Sequence, residues 1–200
     1  GFVGAYLKTH LESLSMKIFE FPDSMDIRSK DNLSLFLSKH SIDFVVHLAA
    51  QTFVPRSVKD PKETYDINFH GTVNLLDLLV NSTFKGTFLF ISSSDIFGSI
   101  SENQLPLTEN TIFNPSSPYA VSKLACELHL KYLSLSSLDM NIVIARPFNH
   151  IGPFQNKNFV IARFCQKVAM IKNGLLGPTI TVGNLGVTRD FVDVRDVVRA

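Results

Sequence analysis

Apolar positions along the chain recur with two alternating rhythms, one near four residues and one nearly unbroken, and the alternation maps a series of helices and strands. Phe2, Val3, Tyr6, Leu7, Leu11 and Leu14 keep helical spacing directly after Gly1. A strand is predicted over Lys17–Phe21, and a helix over Ser29–His40 with Leu33, Phe36 and Leu37 as its apolar stripe. Ile42–Leu48 is a predominantly apolar run, the mark of a parallel strand buried on both faces. A long helix follows over Pro61–Asn81, bearing Tyr65, Asn68, Thr72, Leu75, Leu76 and Leu79, and then a strand, Thr87–Ile91. Residues 99–117 form a polar loop with Pro106, Asn114 and Pro115, long enough to face a substrate. Pro118 suits the first turn of the next helix, carried on by Leu124, Leu128, Leu130, Tyr132 and Leu133, and Asn141–Ala145 is a further strand. The alternation predicts an α/β fold with a doubly wound parallel sheet over residues 1–150. Beyond that, a helix over Phe159–Asn173, a short strand around Thr179–Val182 and the segments Arg189–Asp193 and Val194–Ala200 depart from the simple pattern. Residues 151–200 therefore read as the start of a smaller lobe. With no Met at residue 1 and a helical run at the other end, the chain reads as a fragment cut at both ends.

Composition narrows the classes without choosing one. Of 200 residues, 45% are hydrophobic and 18% charged, with no apolar run of membrane-spanning length, so a soluble globular protein is expected. A net charge of +1 with scattered basic residues offers no electrostatic case for nucleic acid. Cys126 and Cys165 cannot build a disulfide framework and lack metal-ligand spacing. They read as reduced core or near-core thiols, which suits a cytoplasmic location and predicts no metal site.

Candidate chemistry centres on Ser117-Pro118-Tyr119-Ala120-Val121-Ser122-Lys123. Tyr119 and Lys123 are four apart on a helix and share a face, and of the four tyrosines only Tyr119 has this partner. A neighbouring cation favours the phenolate, so Tyr119 is expected to exchange a proton nearer neutral pH than a free phenol does. Such a group serves hydride transfer, where a proton moves at oxygen while a nicotinamide moves the hydride. Elsewhere, Gly1 and Gly4 at a helix start match half of a pyrophosphate-binding glycine motif. Glu20 is a candidate for a ribose contact, and Asp26 equally a turn carboxylate. Ala49-Ala50-Gln51 and Ser92-Ser93-Ser94-Asp95 each stand at a strand's carboxyl end, where doubly wound sheets bind ligands. Asn68 inside a helix hints at a specific hydrogen bond.

The ordered set Gly1-x-x-Gly4, Asp26-Ile27, Leu48-Ala49-Ala50-Gln51, Ser92-Ser93-Ser94, Tyr119-x-x-x-Lys123, Arg146-Pro147-Phe148-Asn149 and Arg189-Asp190 resembles the extended short-chain dehydrogenase/reductases. That branch includes nucleotide-sugar epimerases, 4,6-dehydratases and 4-ketoreductases. The resemblance implies a Rossmann-type sheet binding NADP or NAD, its first strand preceding Gly1. It implies Gly1 and Gly4 at the pyrophosphate, Asp26 and Ile27 at the adenine, Ala49, Ala50 and Gln51 flanking the cofactor, and Pro147 near the nicotinamide. Asn68 looks like the family's structural Asn, and Ser93, five before Gly98, like its catalytic Ser/Thr.

Gln51, the run Arg146–His150 with Gly152-Pro153, and Val182–Leu185 before Arg189-Asp190-Phe191 look most like enzymes of GDP-linked sugars. By that likeness Asn149 and Arg189 hold the diphosphate, and Phe159 and Val160 lie by the base. The expected reaction is reduction of a GDP-4-keto-6-deoxy-hexose at carbon 4, with Tyr119 as acid, Lys123 lowering its pKa, and Ser93 bonded to the carbonyl oxygen. Dehydration of GDP-mannose and 4-epimerisation are the neighbouring alternatives, and a non-catalytic nucleotide-binding homologue is a different one. Where the dehydratases carry a proton-shuttling Glu, this chain has Asp95, one methylene shorter, which favours reduction. The resemblance also implies a homodimer through helices 61–81 and 118–138.

Overall fold

The computed structural model describes residues 1–82, 84–136 and 139–200, and the chain divides into two compact units, residues 19–147 and residues 1–18 with 148–200. The larger unit is built on three parallel strands, β1 (Phe44–His47), β2 (Thr87–Ile91) and β3 (Asn141–Ala145), in the order β1-β2-β3. Phe44 pairs with Thr87 and Thr87 with Asn141, so the strands begin together, and β1 stops one residue before the other two. Parallel neighbours need long crossovers. The first is made by α3 (Val54–Lys59), α4 (Pro61–Tyr65), a π-helical turn (Asp66–His70) and α5 (Gly71–Asn81), the second by α6 (Pro118–Ser134).

Phe88 and Phe90 point from one face of β2 and are fully buried. They cluster with Leu75, Leu76 and Leu79 of α5, Cys126 and Leu130 of α6, and Leu33 of α2 (Lys30–Leu37). Burying each phenyl ring contributes roughly 1.5–3 kcal/mol. The other face of the sheet is half-covered: Phe44 is 59% exposed and Val143 41%. The composition of β1 predicts burial on both faces, and the structure does not bear this out.

Starts and stops follow local chemistry. Asp60 accepts the Glu63 amide hydrogen at 2.9 Å ahead of Pro61, and Ser117 accepts that of Ala120 at 3.1 Å ahead of Pro118. Strands β2 and β3 take the bounds that their apolar runs predict. Several expectations differ. Lys17–Phe21 and Thr179–Val182 are not strands, because neither finds a ladder partner among the described residues. The helix expected to reach His40 stops at Leu37, and Lys39 and His40 continue with tighter i−3 bonds. The helix expected over 61–81 widens into the π-turn around Asn68, and α3 before it was not foreseen. Helix α6 ends at Ser134, and Ser137 and Leu138 of the range 118–138 lie outside the described residues.

The smaller unit holds α1 (Phe2–Ser13), the two parallel strands β4 (Asn149–Ile151) and β5 (Phe191–Asp193), α7 (Val160–Lys172) and α8 (Val194–Arg199). Helix α1 packs against α8, and the Tyr6 hydroxyl donates to the Pro153 carbonyl at 3.0 Å. A Cβ on Gly152 would stand 2.7 Å from the Val194 side chain, so only glycine fits there without a shift. No described helix is long and apolar enough to cross a membrane.

Candidate active site

Helix α6 presents Tyr119, Lys123 and Glu127 at i, i+4 and i+8, and all three are buried. Ala120 and Ser122, both fully buried, let the helix approach its neighbours closely. The Lys123 ammonium donates to the carbonyl oxygen of Ile91, the last residue of β2, at 2.7 Å and lies 4.8 Å from the Phe90 ring centroid. Burial pulls the Lys123 pKa down to about 8. Burial likewise pushes the Tyr119 phenol up to about 12, against the Ser93 side chain, which lowers it, and with the Asp95 charge, which raises it further. The sequence predicts that Lys123 lowers the phenol pKa. The structure corrects this: the ammonium is turned to the strand carbonyl, and desolvation governs the phenol.

At the carboxyl end of β2, Ser93 accepts the Asp95 amide hydrogen at 3.2 Å and caps a 3-10 turn over Ser94–Phe97. The Ser92 amide donates to the Ala145 carbonyl at 2.8 Å and that of Ser94 to Pro147 at 3.1 Å, prolonging the β2–β3 pairing past both strands. The Ser92 hydroxyl is buried without a hydrogen-bond partner among the described residues. Gly98 ends the turn at φ +67°, and a Cβ there would meet the Asn114 carbonyl oxygen at 1.8 Å, so this position requires glycine.

Asn68, in the π-turn, is the hub of a buried polar network. Its side-chain oxygen accepts the Gln51 amide hydrogen at 2.7 Å, and its amide nitrogen donates to the Gln51 carbonyl at 3.0 Å and to the Ser122 hydroxyl at 2.9 Å. Its backbone carbonyl accepts from the Thr72 hydroxyl at 2.5 Å and the Cys126 thiol at 3.2 Å. Since Thr72 spends its proton there, it accepts from His47 Nε2 at 2.8 Å, which assigns the Nε2–H tautomer. Burial, then the Lys123 charge, hold the His47 pKa down at about 3. Gln51, expected beside a cofactor, has its side chain bonded to Thr64 and to the Phe53 amide within its own loop. His47, Thr72, Ser122 and Glu127 were not foreseen; Ser122, between Tyr119 and Lys123, and Thr72, four after Asn68, carry a spacing signal that could have found them.

The structure brings Ser93, Asp95, Tyr119 and Lys123 together, and the Pro147 carbonyl accepts from the Ser94 amide beside them. Ala49 is exposed and Ala50 half-buried after β1. Asp26 accepts from the Arg28 backbone amide and guanidinium, which hold its pKa down, while Ile27 is buried. Glu20 is exposed. Cys126 is a core thiol, whereas Cys165 is exposed on α7 rather than near a core. In the smaller unit, Asn149 donates to the Asp190 carbonyl at 3.3 Å, Arg189 to the Thr188 carbonyl at 2.9 Å, and Phe159 precedes Val160 at the start of α7. Gly1 begins α1 with no side-chain cap and open space where a Cβ would stand, and Gly4 lies in the first turn. Free first-turn amides beside an absent side chain suit a dinucleotide diphosphate. No cluster of metal-ligating side chains occurs among the described residues.

The whole chain, residues 1–200, matches the family model described as GDP-mannose 4,6 dehydratase. It is 42% identical to GDP-6-deoxy-D-mannose reductase of Pseudomonas aeruginosa, over 100% of the chain and 66% of that protein. It is 35% identical to GDP-6-deoxy-D-talose 4-dehydrogenase of Aggregatibacter actinomycetemcomitans, over 98% of the chain and 64% of that protein. The chain thus spans somewhat less than two thirds of these relatives' length. Among solved structures, that of RMD from Pseudomonas aeruginosa complexed with NADPH superposes with a TM-score of 0.91 at 41% identity, covering 100% of this chain and 66% of that one. With its flanked parallel sheet and a full-length family match, the chain belongs to the GDP-mannose 4,6-dehydratase family, a Rossmann-type family of the extended short-chain dehydrogenase/reductases.

Proposed function

We propose that the protein reduces a GDP-4-keto-6-deoxy-hexose at carbon 4 with NADPH or NADH. The observation that carries this reading is Ser93 lying beside the Tyr119 phenol, with Lys123 buried one turn further along the same helix. Support also comes from the likeness to a GDP-6-deoxy-D-mannose reductase and to a relative complexed with NADPH.

When bound, the reduced nicotinamide supplies the hydride that adds to carbon 4. The chain manages the proton. A phenol held near pKa 12 stays protonated at neutral pH, so Tyr119 enters as a proton donor, suited to quenching an alkoxide. Ser93 donates a hydrogen bond to the same carbonyl oxygen, and Lys123 contacts the nicotinamide ribose. Gly1 and Gly4 receive the pyrophosphate, Asp26 and Ile27 the adenine end, and Ala49, Ala50, Gln51 and Pro147 line the cofactor. Asn149 and Arg189 hold the sugar-nucleotide diphosphate, a task suited to a cationic fork, with Phe159 and Val160 by the base. Residues 1–150 then serve the dinucleotide, and residues 151–200 begin the substrate lobe.

Asp95 bears on the rival reading. A dehydratase needs its carboxylate within roughly 2.6–3.2 Å of the sugar proton, and the shorter Asp reaches less far than Glu. The full-length protein is expected to form a homodimer through helices α4, α5 and α6, where Val121, Leu128 and Tyr132 leave apolar surface exposed, and to reside in the cytoplasm.

The test supplies full-length protein with GDP-4-keto-6-deoxymannose, follows nicotinamide absorbance and identifies the product. Stoichiometric oxidation with formation of a 6-deoxyhexose supports the reading. A 4-keto sugar made from GDP-mannose, without net oxidation of nicotinamide, replaces it with dehydration. Tyr119→Phe should cut turnover by about 10²–10⁴ and leave nicotinamide affinity nearly unchanged.

A further inference from the structure

Ser93 and Tyr119 must meet at one oxygen, yet they stand on different elements, a 3-10 turn after β2 and the start of α6. The side chain that joins those elements is Arg146, at the end of β3. Its Nε donates to both Glu127 carboxylate oxygens at 3.1 Å, and its Nη2 to Oε2 at 2.7 Å. Glu127, only 4% exposed, sits on the Tyr119–Lys123 face two turns along. Nη1 donates to the Glu109 carbonyl in the polar loop at 3.2 Å. The flat guanidinium lies 5.6 Å from the ring centroid of Phe97 and 5.0 Å from that of Phe113. Phe97 closes the turn that Ser93 caps, and beyond Phe113 the loop is pinned back by the Asn114 amide on the Ile96 carbonyl at 2.9 Å.

One planar group thus touches the helix, the turn and the loop. A lysine carries the charge, but it cannot make two parallel bonds to Glu127 while stacking on two rings. A largely buried ion pair is also no general device for stability, since apolar replacements of similar volume often serve as well. What the arrangement supplies is a fixed relation between three elements.

We propose that Arg146, through Glu127, Phe97 and Phe113, is a positioning residue that holds the Ser93 turn, the Tyr119 helix and the 99–117 loop in one arrangement and thereby aligns Ser93 with the Tyr119 phenol. The kinetic consequence rests on the reductase reading above; the alignment itself does not. The turn carries both the Ser93 side chain that lowers the phenol pKa and the Asp95 charge that raises it, so misalignment shifts the phenol titration.

The experiment uses the full-length protein with Arg146→Lys and, independently, Phe113→Leu. Ultraviolet titration of Tyr119, identified as the signal lost in Tyr119→Phe, needs no substrate. Both variants should shift it, with nicotinamide affinity within about twofold of the parent. Turnover should fall by up to about 10²-fold, the scale of a reacting group displaced by roughly 1 Å, and its alkaline limb should move the same way as the titration. If Arg146→Lys does not fold, Phe113→Leu alone must show the shift. Unshifted titration in the folded variants, with altered melting temperature only, overturns the proposal. If the parent oxidises no nicotinamide while the titration still shifts, the reductase reading fails and the positioning role stands.

Discussion

The Lys123 ammonium and the Ile91 carbonyl oxygen, 32 residues apart in sequence, meet at 2.7 Å and tie helix α6 to the carboxyl end of the central strand. The bond holds a charge inside the protein, and burial lowers the Lys123 pKa from 10.5 to about 8. Between those values the unfolded chain binds the extra proton, so stability rises with pH through this window, by about 3 kcal/mol in all. Below pH 8 both states are protonated and the cost of burial is fully present. The buried Cys126 thiol, pushed up from 9.0 to about 11, opposes this above pH 9, so the rise should be read as the difference in urea stability between the full-length parent and Lys123→Met from pH 7 to 10.5, and Lys123→Met should also lose turnover.

His47 gives the acid counterpart. Its pKa is about 3 when folded against an ordinary 6.5, so between these values the unfolded state binds the extra proton and stability falls as pH falls. The slope approaches about 1.4 kcal/mol per pH unit. His47→Gln keeps a donor toward Thr72 and cannot ionise, so denaturant midpoints between pH 6.5 and 4 should vary less in this variant than in the parent.

Asn68→Ala should be severe for a side chain that touches no substrate. It would leave the Gln51 amide and carbonyl and the Ser122 hydroxyl without their partner in the interior. A cost of about 3 kcal/mol or more is expected, read as a lower denaturant midpoint at unchanged slope. Asn68→Asp restores the acceptor but faces the Gln51 carbonyl with another acceptor, so it should rescue little.

Asp95→Asn separates the two chemistries of the family. The Asp95 charge raises the Tyr119 pKa, so neutralising it should move the alkaline limb of reduction to lower pH while turnover at neutral pH stays within about tenfold. A dehydratase using Asp95 to move the sugar proton would instead lose activity by about 10²–10⁴.

Much of this protein was legible in the chain itself. The bounds of Thr87–Ile91 and Asn141–Ala145, the cap and proline at Ser117-Pro118, and the shared face of Tyr119 and Lys123 follow from patterning and helix geometry, which act over a few residues. Tertiary structure decided what depends on distant partners. Lys17–Phe21 and Thr179–Val182 have strand-like composition, but a strand exists only where another lies beside it. The π-turn at Asn68 forms where the loop at Gln51 and the helix at Ser122 converge on one side chain. The Tyr119 phenol was expected to fall in pKa toward its lysine and instead rises. Spacing shows which groups share a face, whereas burial, and the carbonyl that Lys123 reaches, exist only once the chain is packed.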